Sequence, residues 1–152
     1  AELWAPEEAA RRWLDALSLV RPGHPGLVVG RIPESLGQML VRWSPTDYAQ
    51  RLLDEREALG FFPACTMVAL DGPPAQVRQV ADQVVREGGA ELVGTVALPV
   101  TREGEERQVR TLVRTPLADA ATMLATLTDI RRSRAARKVT PVKMSVNPPE
   151  LF

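Results

Sequence analysis

Cysteine, histidine and aromatic side chains are all scarce in this chain of 152 residues, which holds one Cys, one His, three Trp, three Phe and one Tyr. A single cysteine, Cys65, excludes an internal disulfide and every multi-cysteine zinc site. With His24 as the one imidazole, the usual transition-metal sites also lack ligands. No run approaches the roughly 18 apolar residues that a membrane-spanning helix needs, and no basic-then-apolar signal segment is present. Phosphate loops of the type G-x-x-x-x-G-K-[ST] and dinucleotide turns of the type G-x-G-x-x-G are missing. These absences lead us to expect a reducing, cytoplasmic setting, with no membrane, no metal and no cofactor. Because the first residue is Ala1 and not Met, the chain is expected to be processed or cut from something larger.

What is present suits a folded core, with 45% hydrophobic and 25% charged residues. The 19 basic and 19 acidic side chains cancel overall but are unevenly placed. Residues 116–152 carry six basic and three acidic groups, and five of those six basic groups lie in 131-RRSRAARK-138. Cations there favour the negative end of a helix dipole. A solvated helix end explains such a cluster as readily as a phosphate-binding surface.

Periodicity predicts a helix from Pro6 to Leu19, with Ala9, Ala10, Trp13, Leu14 and Leu17 on its apolar face. After the break 21-RPGHPG-26, the run 27-LVVGRI-32 reads as a short buried strand, and Leu36–Val41 as a short apolar helix. A longer helix starts at 44-SPTD-47, where Ser44 caps and Pro45 takes the first turn, and Gly60 closes it. From Cys65 onward the pattern is more regular. Strand 65-CTMVAL-70 is followed by the turn 71-DGPP-74 and a helix with Val77, Val80, Ala81 and Val84 on one face. Strands 91-ELVGTVALPV-100 and 107-RQVRTLVR-114 flank the polar tip 101-TREGEE-106, a hairpin signal. Thr115 and Pro116 then start a helix whose inner face is Leu117, Ala120, Ala121, Leu124 and Leu127, and 139-VTPVKMSV-146 is the last strand.

The order β-α-β-β-α-β predicts an α+β fold with a C-terminal ferredoxin-like sandwich, a four-stranded antiparallel sheet with two helices on one face. The other face is expected to be open to solvent or a partner. No catalytic residues are predicted. His24 reads as a surface-loop histidine, Cys65 as a small core residue, and the acids of 103-EGEE-106 as a solvated tip lacking calcium-loop spacing. Strands 65–70 and 107–114 contain no aromatic residue, so bases are not expected to stack on this sheet as they do on RNA-recognition domains. Cationic groups remain as candidate phosphate contacts: Arg131, Arg132, Arg134, Arg137 and Lys138, with Arg110 and Arg114 as secondary candidates.

Several short motifs in this order, 55-EREALGFFP-63, 91-ELVGTVALP-99, 110-RTLVRTP-116, 136-ARKV-139 and 144-MSVNP-148, resemble the C-terminal part of the primosomal protein N′ (PriA) family of bacterial replication-restart helicases. With the segment Gly26–Leu53 the resemblance covers nearly the whole chain. It implies a helicase-lobe tail over residues 1–43, a linking helix over 44–62 and a C-terminal domain over 63–152. It also implies a bacterial cytoplasmic protein that binds forked or branched DNA and meets replication-restart and helicase-loading proteins. The tail of the single-stranded-DNA-binding protein is a further implied partner. Ser18 stands where that family has an arginine of its helicase signature, while Arg21 is kept, which points to a parent that no longer hydrolyses ATP. Phe62 replaces a second proline, and Ala118 and Thr122 stand where some enterobacterial members present basic and amide side chains to the partner tail. Phe61, Phe62 and Pro63 are expected to pack at the join between linking helix and domain, with Pro63 setting an extended approach to the strand. The rival reading is a protein-interaction or regulatory ligand-binding domain that pairs through the open sheet face.

Overall fold

The computed structural model describes residues 4–99 and 107–151. The chain divides into two compact units, one of residues 2–55 and one of residues 56–152.

In the first unit, α1 (Ala5–Ser18) has proline in its opening turn and Glu7 and Glu8 at its positive end, and α2 spans Glu34–Arg42. The helix α3 (Pro45–Leu59) begins in this unit. Ala10, Leu36, Met39 and Tyr48 form its buried core, with Trp13, Leu14, Ile32 and Leu52 packed against them. The expected strand over 27–32 is not formed, and Leu27 and Val29 are 87% and 80% exposed. A strand needs a neighbouring backbone to bond with. The described elements of residues 4–55 are all helices, so an apolar run there has nothing to pair with.

On α1, Glu8 receives both neighbouring arginines: its Oε1 accepts from Arg12 Nε at 2.7 Å and from Arg11 at 3.0 Å. The Arg11 hydrogen bond, then that of Arg12, brings its carboxyl from the usual 4.5 down to about 2. A depressed carboxylate contributes fully above its usual range, and the contribution fades as pH falls toward the folded value. We therefore expect carbon-13 NMR to find the Glu8 carboxyl titrating near 2 at low salt and returning toward 4.5 in Arg11→Ala/Arg12→Ala. An ordinary midpoint in the unaltered chain would refute it.

The second unit is built on β1 (Cys65–Gly72), β2 (Glu91–Ala97), β3 (Val109–Pro116) and β4 (Lys143–Val146). They form one antiparallel sheet in the order β2-β3-β1-β4. With α4 (Pro74–Gly88) and α5 (Ala120–Ala136), this is the ferredoxin-like β-α-β-β-α-β arrangement. On α4, Val77, Val80, Ala81 and Val84 recur at helical spacing and are buried against Val68, Leu70, Val109 and Val113 of the sheet.

Other expectations need correcting. Thr115 does not cap a helix; it is the penultimate residue of β3, followed by a 3₁₀ turn over Leu117–Asp119. Of the expected inner face of α5, Leu127 is buried and Leu124 packs against the core, but Met123 and Ile130 complete the buried stripe and Leu117 is exposed. The last strand is shorter than expected and starts at Lys143, just beyond Pro141, whose ring nitrogen has no proton for a ladder. The hairpin tip 101–106 and its acids lie outside the described residues.

The largest correction concerns the second sheet face. Register sets Met67 opposite Arg114, Ala69 opposite Leu112 and Asp71 opposite Arg110, and strand alternation turns these away from Val68 and Val113 on the helix side. Yet Met67, Ala69 and Leu112 are all 0% exposed. Two stretches are tied to this side. After β4, Asn147 extends the β1–β4 ladder in the plane of the sheet, donating its N–H to Met67 O at 2.7 Å and accepting the Met67 N–H on Oδ1 at 3.0 Å, and the chain then reaches this side. Glu150 O then receives Arg110, and Leu151 is buried. At the other end Arg114 donates to Leu59 O at 3.0 Å and Gly60 O at 3.2 Å. The face expected to be open is closed at its centre.

Gly60 makes the second of these ties. It ends α3 at φ 63, with Gly60 N–H to Glu57 O and Phe61 N–H to Arg56 O, the paired bonds of a Schellman motif. An added Cβ would lie 2.6 Å from the Arg114 guanidinium. Gly60→Ala is therefore expected to cost about 2 kcal/mol, combining the left-handed backbone penalty with a displaced arginine. A substitution that leaves amide exchange in β1 and β3 unchanged would refute this.

Candidate nucleic-acid interface

The basic run of residues 131–138 occupies the last turns of α5 and the turn after it. Arg137 N–H bonds Ser133 O, Lys138 N–H bonds Ala135 O, and Val139 N–H bonds Arg134 O. Lys138 holds the left-handed position of this Schellman motif at φ 53, where glycine is usual. A lysine there costs roughly 1 kcal/mol of backbone energy.

Arg131, Arg132, Arg137 and Lys138 are all exposed. Arg132 reaches Asp129 only at 3.8 Å, with both side chains more than three-quarters exposed, so the pair is easily screened. Arg134 is different. Its Nη2 donates to Gln76 Oε1 at 2.6 Å and to Thr140 O at 2.8 Å, its Nη1 donates to Gln79 Oε1 at 3.2 Å, and its Nε is buried. Nothing in the basic octapeptide signals this difference. The two glutamines lie one helical turn apart on α4, but their meeting with Arg134 is a product of helix packing.

The secondary candidates sit on the sheet face opposite α5. Arg110 places Nε and Nη2 on the two carboxylate oxygens of Asp71, each at 2.8 Å, and gives Nη1 to Glu150 O. The Asp71 hydrogen bond raises the guanidinium pKa further, against a smaller opposing effect of burial. Arg114 bonds Glu91 Oε2 at 2.9 Å as well as the two carbonyls of 59–60. The fold thus gathers the α5 cations at one end and commits these two arginines to internal partners.

Phe61, Phe62 and Pro63 are half-buried and belong to the 56–152 unit. The expected extended approach is instead a tight turn, closed by Ala64 N–H to Phe61 O at 2.9 Å, with a cis Phe62–Pro63 peptide. Cys65 is buried and donates its thiol to Gly60 O at 3.0 Å; burial raises its pKa, partly offset by Arg114. His24 is exposed on its loop. Among the described residues no group of three or more His, Cys, Asp or Glu is placed to hold a metal ion, and no helix is long and apolar enough to cross a membrane.

Residues 57–149, the sheet-and-helix unit with its cationic turn, match the family described as the primosomal protein N C-terminal domain. The chain belongs to that family. Among curated proteins it is similar to the probable replication restart protein PriA of Mycobacterium leprae (strain TN), at 32% identity over 120 residues. That alignment covers 77% of this chain and 18% of the relative. The protein of the same name from Mycobacterium tuberculosis (strain CDC 1551 / Oshkosh) is 36% identical over 105 residues, covering 64% of this chain and 16% of that one. The chain therefore spans less than a fifth of these relatives' length. A solved DUF3240-family protein from Shewanella baltica aligns over 57% of this chain and 91% of its own, at 18% identity and a TM-score of 0.36.

Proposed function

We propose that this chain is a non-catalytic, DNA-holding module of a replication-restart protein, meeting the phosphates of forked or branched DNA through the end of α5. The observation that carries the reading is the set of exposed cations Arg131, Arg132, Arg137 and Lys138 on one helix end, in a member of the primosomal C-terminal domain family. Each phosphate neutralised releases counterions, so such contact is strong at low salt and nearly blind to sequence. Bases are not read on the sheet. Its central strands carry no aromatic side chain, and the face away from the helices is closed over Met67, Ala69 and Leu112.

The same closure counts against a regulatory domain that pairs through the centre of that face. The relatives' names support replication restart as the setting, and a bacterial cytoplasm is proposed with it. Restart and helicase-loading proteins, and the single-stranded-DNA-binding protein, are the partners proposed with it. The test is fluorescence anisotropy of the chain with labelled forked DNA across salt. Contacts from Arg131, Arg132, Arg137 and Lys138 predict a log-log slope of about −3.6. Absent binding, or affinity indifferent to salt, would overturn the proposal.

A further inference from the structure

We infer that Arg134, although embedded in the basic run, is a positioning residue that builds the phosphate-facing turn and does not itself touch phosphate. This rests on the DNA-holding reading for its function, but its structural half can be tested without DNA.

Arg134 acts on the turn in two ways. Its carbonyl accepts the Val139 N–H, which closes the left-handed turn at Lys138. Its guanidinium reaches forward to Thr140 O and across to Gln76 and Gln79 in the first turns of α4. One residue therefore clamps the stretch holding Arg137 and Lys138 from both sides and ties it to a second helix. A planar fork suits this task, because several acceptors in different directions need several fixed donors. A lysine ammonium offers one compact centre on a flexible stem. All three acceptors are neutral amide or peptide oxygens, so the bonds serve geometry and not charge neutralisation. A phosphate contact would require the guanidinium to leave them. Holding Arg137 and Lys138 ready lowers the ordering cost that DNA binding would otherwise meet.

The test uses the full chain carrying Arg134→Met or Arg134→Lys. With no DNA present, amide exchange at Lys138 and Val139, whose N–H groups close the turn, is expected to quicken about ten-fold or more in both variants, while Leu127 in the helix interior keeps its protection. With forked DNA, both variants should bind more weakly at an unchanged salt slope. Arg137→Ala and Lys138→Gly should each lower the slope by about 1. A drop of about 1 in the slope for Arg134→Met would make Arg134 a phosphate contact and overturn the inference. So would Arg134→Lys behaving like the unaltered chain, since charge alone would then suffice. If the Met variant does not fold, Gln76→Ala/Gln79→Ala removes the cross-helix acceptors, keeps the arginine, and must loosen the same amides. Should the unaltered chain fail to bind forked DNA, the DNA-holding reading falls while the exchange arms still decide the clamp.

Discussion

Arg110→Met is expected to destabilise the 56–152 unit by about 3 kcal/mol, the largest single-residue effect foreseen in this chain. The arginine and Asp71 face each other across β3 and β1 as a two-bond fork, with side chains only 17% and 12% exposed. Removing the cation leaves a carboxylate with little access to water and no fork to meet it, so the cost is that of an uncompensated charge. The Glu150 carbonyl loses its donor as well, which loosens the segment leading to Leu151. The figure sits at the low end of the range for buried pairs because residual exposure lets some water reach Asp71. Replacing both partners, Asp71→Leu with Arg110→Met, should recover most of the loss, since neither charge then remains to be solvated.

The probe matters here. All three tryptophans, Trp4, Trp13 and Trp43, lie in residues 2–55, so their fluorescence follows the other unit. Amide exchange in β1 and β3 during urea titration is the suitable measurement. A loss below about 1 kcal/mol, or a double variant no better than the single one, would show that the pair is not the anchor described.

The second large effect is on binding. Arg131→Ala/Arg137→Ala/Lys138→Gly leaves Arg132 as the one exposed cation of the run. Between about 50 and 200 mM salt the unaltered chain should lose roughly 150-fold in affinity for forked DNA, and the triple variant about 3–4-fold, from slopes of about −3.6 and −0.9. Lys138→Gly also relieves the left-handed backbone position, so this substitution should stabilise the fold by up to about 1 kcal/mol while weakening binding. Opposite signs in the two measurements separate a functional cation from a structural one. Arg86→Ala is the control: it lies in the last turn of α4, at the opposite end of the helix pair from the close of α5, and should leave the slope unchanged. Equal salt dependence in the unaltered and triple variants would remove the phosphate assignment.

Much of the second unit was legible along the chain because its determinants are local. The α4 stripe of Val77, Val80, Ala81 and Val84 repeats with the helical period, Gly60 supplies a left-handed helix stop, and the alternation of strands and helices restricts the topology to few choices. The basic run was equally visible, as a matter of composition. Where the reading went astray, the deciding partner is distant in sequence. The run 27–32 has a strand's composition but no neighbouring backbone. The sheet face expected to be open is met by Leu59, Gly60 and Glu150, which bond to Arg114 and Arg110 from 40 or more residues away.

By itself, then, the sequence determined the strands and helices of the second unit, their order and the net cationic character of one helix end, since each depends on residues within a few positions of one another. Tertiary structure decided what each arginine does. Arg110, Arg114 and Arg134 look like their exposed neighbours in the primary sequence, but they meet acceptors 39, 23 and 58 residues away. A guanidinium is available to DNA only where folding has brought it no nearer acceptor, and that is a property of packing.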